Sequence, residues 1–216
     1  MILCIYGSGG LGREVYDVAL RRNQTSNSWK KIIFIDDFEP EGEFFGTSRI
    51  KLASLDAGAG NYEGLVAVGE PSFREKLFNK LTKKRISIAN LTDPTAIISP
   101  SSTIGPGSII LEYAVVKANA ELATNVLIQP HSDIGHDIKI GNHSVMSPFS
   151  APGGGSVFGD RVFLGMHSSC MEGTIIGDDA IIGMGAAVFR DVPEGATVVG
   201  NPARVTKGNE QGKVFK

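Results

Sequence analysis

The 216-residue sequence predicts a small α/β domain with a parallel sheet, followed by a parallel β-helix built from six-residue repeats. Three observations carry that prediction. A short apolar run, "MILCI", leads into a glycine turn, "YGSGGLGREV". Two further apolar runs, "KKIIFIDDF" and "GLVAVGE", alternate with segments of helical spacing. From Ile98 onward, bulky apolar residues return at every sixth position.

The elements follow in order. Residues 2–6 read as a strand, and the glycine turn opens a helix in which Val15, Val18 and Ala19 recur at helical spacing. The second apolar run is a strand ending in Asp36 and Asp37, and a variable loop follows it. The third run is a strand closing at a turn at Gly69, before a helix that carries Phe73, Leu77 and Leu81. Continuous apolar strands joined by helices imply a buried parallel sheet, here a half-Rossmann-like unit over residues 1–92.

Gly7, Gly9 and Gly12 have the spacing that lets a backbone approach a ligand, and the helix that follows offers free N–H groups to a pyrophosphate. An acidic residue at the end of the second strand is where a ribose hydroxyl would be held. The competing explanation is a turn that only lets a helix pack on the sheet. The sheet pattern stops near Thr92, before the second mononucleotide-binding half that a nicotinamide requires, so the expected ligand is shorter than NAD. Arg74 is open to two roles, a phosphate partner or a solvated helix charge.

Composition bounds the function. With 21 basic and 23 acidic side chains the net charge is −2, which gives no reason to expect nucleic acid or an anionic membrane as partner. No basic region precedes the first apolar run, and glycine breaks that run after Tyr6, so neither a signal peptide nor a spanning helix is expected. Cys4 and Cys170 form no CxxC and read as small buried hydrophobes in a reducing, cytoplasmic setting.

The repeat runs through sixteen hexads from Ile98 to Pro193. Twelve of them open with Ile, Leu or Val, three with Met, Phe or Cys, and Pro152 is the exception. The fifth position is Ser, Thr, Ala or Val except at Ile138. No helix has period six, whereas a parallel β-helix of hexapeptides has it by construction. The repeat domain is expected over residues 93–206, with a loose polar tail at 207–216.

The hexads, closing in "VVGNPARV", resemble the hexapeptide-repeat acyltransferases, whose left-handed β-helices form trimers and bind acetyl-CoA between subunits. With "GSGG", "REV", "FIDD" and "AVGEPSFREK", the whole chain resembles the sugar acetyltransferases of that group. These include sialic acid O-acetyltransferases and N-acetyltransferases of nucleotide-linked amino sugars such as bacillosamine and perosamine. The resemblance implies a cytoplasmic homotrimer that acetylates a nucleotide sugar, with no metal. An amine acceptor, such as a 4-amino-4,6-dideoxyhexose, is the first expectation, and a sugar hydroxyl is the alternative.

In the known fold three hexads make one triangular coil, so residues eighteen apart share a column. His136, Gly154, Glu172 and Arg190 share one, and His136 stands at a turn position. Histidine suits removal of a proton as a nucleophile attacks a thioester. By resemblance His136 is the base, Asp137 raises its basicity, and the Gly154 N–H donates to the oxyanion. The resemblance assigns the cofactor to Val145, Gly154, Met166 and Met184; Met166 and Met184 share a column with Pro202. At Val145 the group often carries a second histidine. It assigns the nucleotide sugar to Gly9, Gly10, Leu11, Asp36, Asp37 and Gly69, with Leu11 where a histidine is common.

Two other classes stay open at this point. His131 and His167 are thirty-six apart, and with Glu172 they resemble the ligand spacing of gamma-class carbonic anhydrases, which bind zinc on the same fold. A non-catalytic β-helix serving as a scaffold is the other.

Overall fold

The computed structural model describes residues 1–56, 61–208 and 213–215. The chain begins with β1 (Ile2–Tyr6), α1 (Gly10–Ser26) and β2 (Lys31–Ile35), then a hairpin of β3 (Gly42–Phe44) and β4 (Thr47–Ile50). It continues through β5 (Tyr62–Val66), α2 (Pro71–Lys83) and β6 (Ser87–Ile88). The six strands form one sheet in the order β3-β4-β2-β1-β5-β6, parallel except where β3 meets β4.

The two helices have different start and stop signals. Asn27 ends α1 in the left-handed conformation, with φ at 48°, and its N–H returns to the Asn23 carbonyl. Pro71 opens α2, where its missing N–H costs nothing, and Lys80 and Lys83 face the negative end of the helix dipole. The hairpin lies in what the sequence presents as a variable loop. Its residues are only half-buried or exposed, so no apolar run or clean alternation marks it.

The β-helix starts at Leu91–Thr92, which pairs in parallel with Ile109–Ile110. From there paired strands recur at eighteen residues, Ile109↔Leu127, Leu127↔Val145, Val145↔Phe163 and Phe163↔Ile181. First-position residues such as Ile110, Ile128, Met146, Leu164 and Ile182 fill the interior beside small fifth-position residues such as Ala114 and Ala180. Fourth-position residues turn most corners with positive φ, among them Tyr113, Asn119, Asn125, His131 and Asp137. Period six is therefore the spacing of one face plus one corner.

Pro152 occupies an interior position without breaking the coil. Its carbonyl still accepts from Gly135 N at 3.2 Å, and Asp133 N still reaches Ser150 O at 2.9 Å. A proline has no N–H to complete the ladder, and the sheet on this face is divided between Asp133–Ile134 and Ala151–Pro152.

The two domains share one core. Ile109, Leu127 and Val145 point out of the β-helix, yet they are fully buried in the cluster that holds Val15, Val18 and Ala19 of α1. Arg74 corrects both sequence expectations. It is fully buried, and its guanidinium donates to the carbonyls of Val66, Val68 and Asn125 and to the Asn125 side chain at 2.8–3.3 Å. It bolts α2 to a β-helix corner. Arg21 makes a second bridge, from α1 to Asp93 at 2.7 Å and to Glu112.

Of the tail expected at 207–216, residues 209–212 and 216 lie outside the described residues. Arg204–Gly208 forms a strand antiparallel to Ala196–Val199. Val214 N and Phe215 N both donate to Glu70 Oε2, at 2.9 and 3.0 Å. No helix among the described residues is long and apolar enough to cross a membrane.

Candidate active site

Gly9, Gly10, Leu11, Asp36, Asp37 and Gly69 line one cavity of about 280 Å³ at the carboxyl ends of β1, β2 and β5. The glycines divide by function. Gly7 has φ at +113°, and a Cβ there would stand 2.8 Å from Ala67 O; at Gly12 it would stand 2.1 Å from Gly7 O. Those two exist so that α1 can pack on the sheet. Gly9 and Gly10 have open space where a Cβ would project.

The acidic pair is already engaged. One oxygen of Asp36 accepts from Ser8 N and Oγ at 3.0 and 2.7 Å, and the other from Phe38 N and Glu39 N at 3.0 and 3.3 Å. Burial alone would raise its pKa, but these bonds outweigh burial and hold it below the usual carboxylate range. Asp37 accepts from Tyr6 Oη, from Lys80 Nζ at 2.8 Å and from Leu52 N at 3.0 Å. Burial opposes its ionisation too, and Lys80 and Tyr6 prevail. Both carboxylates thus build the cavity wall, and a ribose hydroxyl would have to share an oxygen already in use. Phe38 and Phe73, which sequence reasoning did not assign to the site, also line the cavity with ring centroids 6.2 Å apart. An aromatic in a turn and another on a helix carry no pattern that announces a ligand.

A second, larger groove of about 830 Å³ runs along the β-helix and shares Gly69 with the first cavity. Met166 and Met184 form its exposed apolar edge, 41% and 75% accessible, and Val145 lies at its buried floor inside the interdomain core. Pro202 lies outside the groove despite its eighteen-residue spacing. Phe163 and Phe215 meet edge to face in this groove at 5.5 Å. The packing of Phe215 against Phe163, fifty-two positions earlier, leaves no trace in local periodicity.

His136, Asp137 and Gly154 sit together at a different corner. His136 Nδ1 is 2.8 Å from Asp137 Oδ2, and Asn119 Nδ2 donates to Asp137 Oδ1 at 3.0 Å. These two bonds, Asn119 first, hold the Asp137 carboxyl below its ordinary pKa. An ionised carboxylate only accepts, so Nδ1 carries a proton, and in the neutral imidazole the lone pair is then on Nε2. The imidazole lies over Gly154, where a Cβ would stand 2.7 Å from Nε2. Gly153 N and Gly155 N are spent on Cys170 O and His136 O, whereas the Gly154 N–H meets no protein acceptor among the described residues. Neither cavity is lined by His136.

The histidine pair that suggested zinc has another occupation. Tyr113, His131, Phe149 and His167 stack as a ladder of rings up one corner, with centroids 5.1, 4.7 and 4.8 Å apart. Phe149 separates the two histidines, and no group of three metal-ligating side chains is present among the described residues. His143, the remaining histidine, is buried against Asn125 at 3.0 Å, and burial pushes its pKa down. It serves the domain junction.

Residues 2–81 match the family of PglD N-terminal domains, and residues 157–190 match the hexapeptide repeat of succinyl-transferase family. The chain has the fold of the left-handed β-helix acetyltransferases, and the proteins it is similar to are acyltransferases. A GDP-perosamine N-acetyltransferase of Escherichia coli O157:H7 is 27% identical over 146 residues, 67% of this chain and 66% of that enzyme's length. The acetyltransferase domain of PglB from Neisseria gonorrhoeae, solved with acetyl coenzyme A, superposes with a TM-score of 0.86 at 28% identity, over 95% of this chain and 98% of that one. PerB from Caulobacter crescentus, solved with CoA and GDP-perosamine, gives 0.87 at 26% identity, over 96% and 98%.

Proposed function

We propose that this protein transfers the acetyl group of acetyl-CoA to the amine of a nucleotide-linked amino sugar, a 4-amino-4,6-dideoxyhexose, in surface glycan synthesis. The observation that carries it is a pair of cavities that share Gly69 in their lining, one at a glycine turn suited to a diphosphate and one along an apolar groove suited to a pantetheine arm. The relatives solved with CoA, acetyl-CoA and GDP-perosamine support both halves of this reading.

Residues 1–92 would hold the nucleotide end through Gly9, Gly10, Leu11 and Gly69, with Asp36 and Asp37 fixing the loops. Met166 and Met184 would line the thioester arm over the floor made by Val145. His136 takes a proton at Nε2 as the amine attacks the thioester carbon, while Asp137 steadies the imidazolium through Nδ1. The unpaired N–H of Gly154 supplies a donor to the oxyanion of the tetrahedral intermediate.

His136 stands at a corner that neither cavity reaches, so one chain does not assemble the site alone. A homotrimer answers this: the groove of one subunit meets the His136 corner of its neighbour. The balanced charge, the two free cysteines and the dependence on acetyl-CoA fit a cytoplasmic enzyme.

The test is thiol release from acetyl-CoA with purified protein, offered UDP-, dTDP- and GDP-linked 4-amino-4,6-dideoxyhexoses, and sialic acid for the hydroxyl alternative. Turnover with an amino sugar, lost on His136→Ala, is expected. Turnover with sialic acid alone would overturn the amine acceptor.

A further inference from the structure

Asn119 lies one coil from Asp137 at the same corner, eighteen residues earlier, with its amide nitrogen 3.0 Å from Asp137 Oδ1. Its own backbone is tied down, since Asn119 N donates to Ser101 Oγ at 3.1 Å, eighteen residues earlier again. Asp137 N is fixed to the Ala118 carbonyl at 2.9 Å. In the other direction the corner column continues as Gly155 and Gly173, which bring no side chain to the acid. Asn119 and His136 therefore hold separate oxygens of one carboxylate, which restricts its rotation about χ2. Asn119 turns its corner at φ 56°, a left-handed conformation that asparagine tolerates better than most residues.

We propose that Asn119 is a positioning residue for acetyl transfer: it pins the Asp137 carboxylate, which in turn holds the His136 imidazole with Nδ1 protonated and Nε2 free. The hydrogen-bond order Ser101, Asn119, Asp137, His136 spans three coils, so the orientation of the base is set by the stacking of the β-helix and not by its own turn alone. This inference rests on the assignment of His136 as base.

The test uses Asn119→Gly, which keeps the left-handed turn and deletes the amide. Imidazole nitrogen shifts of the ¹⁵N-labelled full-length protein report the tautomer without any substrate, and with four histidines the His136→Ala protein assigns the signal. The expected result is a His136 Nδ1–H tautomer that in N119G mixes with the Nε2–H form, with kcat down about fivefold, the equivalent of one hydrogen bond, and KM unchanged. In an Asp137→Ala background the same change has no further effect on kcat. An unchanged tautomer, or an equal loss in the Asp137→Ala background, overturns the positioning role. Full turnover of His136→Ala would overturn the base assignment and this inference with it, whereas loss in His136→Ala beside normal kcat in N119G overturns this inference alone.

Discussion

The imidazole of His136 rests on the backbone of Gly154 one coil along, so closely that a Cβ there would stand 2.7 Å from Nε2 and 2.8 Å from Cε1. Gly154 does not have positive φ, and the three atoms nearest to an added Cβ all belong to the movable ring. Gly154→Ala is expected to leave the melting temperature nearly unchanged and to reduce kcat at least tenfold by displacing the base. Thermal unfolding beside the thiol-release assay checks both halves; unchanged kcat would show that the ring position is irrelevant to turnover.

The four glycines of the first turn should separate into two classes. Gly7→Ala and Gly12→Ala place a Cβ against backbone oxygens at 2.8 and 2.1 Å, and each should cost more than about 3 kcal/mol in urea unfolding. Gly9→Ala and Gly10→Ala meet nothing within 4 Å and should stay within about 0.5 kcal/mol of the parent. If the cavity takes the nucleotide, the second pair instead raises KM for the nucleotide sugar while KM for acetyl-CoA holds.

These examples show what a linear pattern can convey. The hexads are legible because each interior position repeats, so Ile110, Ile128 and Met146 speak for one another, and the eighteen-residue columns place His136 over Gly154. Arg74 was legible in part. Buried Arg74, Leu77 and Leu81 follow helical spacing, so the arginine stands on the stripe that faces inward; its charge hides this. The partners of Asp36 and Asp37 were not legible, since Ser8 and Lys80 come from elements 28 and 43 residues away. The same holds for Glu70, whose carboxylate meets the chain again 144 residues later.

Arg74 is a cation buried with carbonyl oxygens and an amide as its solvent. Burial pushes its pKa down to about 9, and it remains charged at neutral pH. Replacing it by methionine leaves the carbonyls of Val66, Val68 and Asn125 without these donors and should cost about 3–5 kcal/mol. Lysine, with a single point of charge, should recover only part of this. Urea unfolding of the two variants checks it, and equal stability of R74M and the parent would mean that the domains are held by their shared apolar core alone.

Acid should loosen the other interdomain bridge. Burial alone would raise the pKa of Asp93, but hydrogen bonds from Thr95 and Arg21 outweigh it and hold the carboxyl below its ordinary range. A depressed carboxylate pKa contributes stability that is fully present above the unfolded value, near 4, and is lost as pH falls through the folded one. The side chain is fully buried and bridges to Arg21 of α1, so Asp93→Asn should cost about 2 kcal/mol at pH 7. The difference between parent and variant should shrink steadily as pH falls below about 4, because the parent then carries a neutral side chain as well. Denaturant unfolding of both proteins across pH 7 to 3 measures this directly. A gap that stays constant over that range would place the cost in packing and not in the charge that Asp93 offers Arg21.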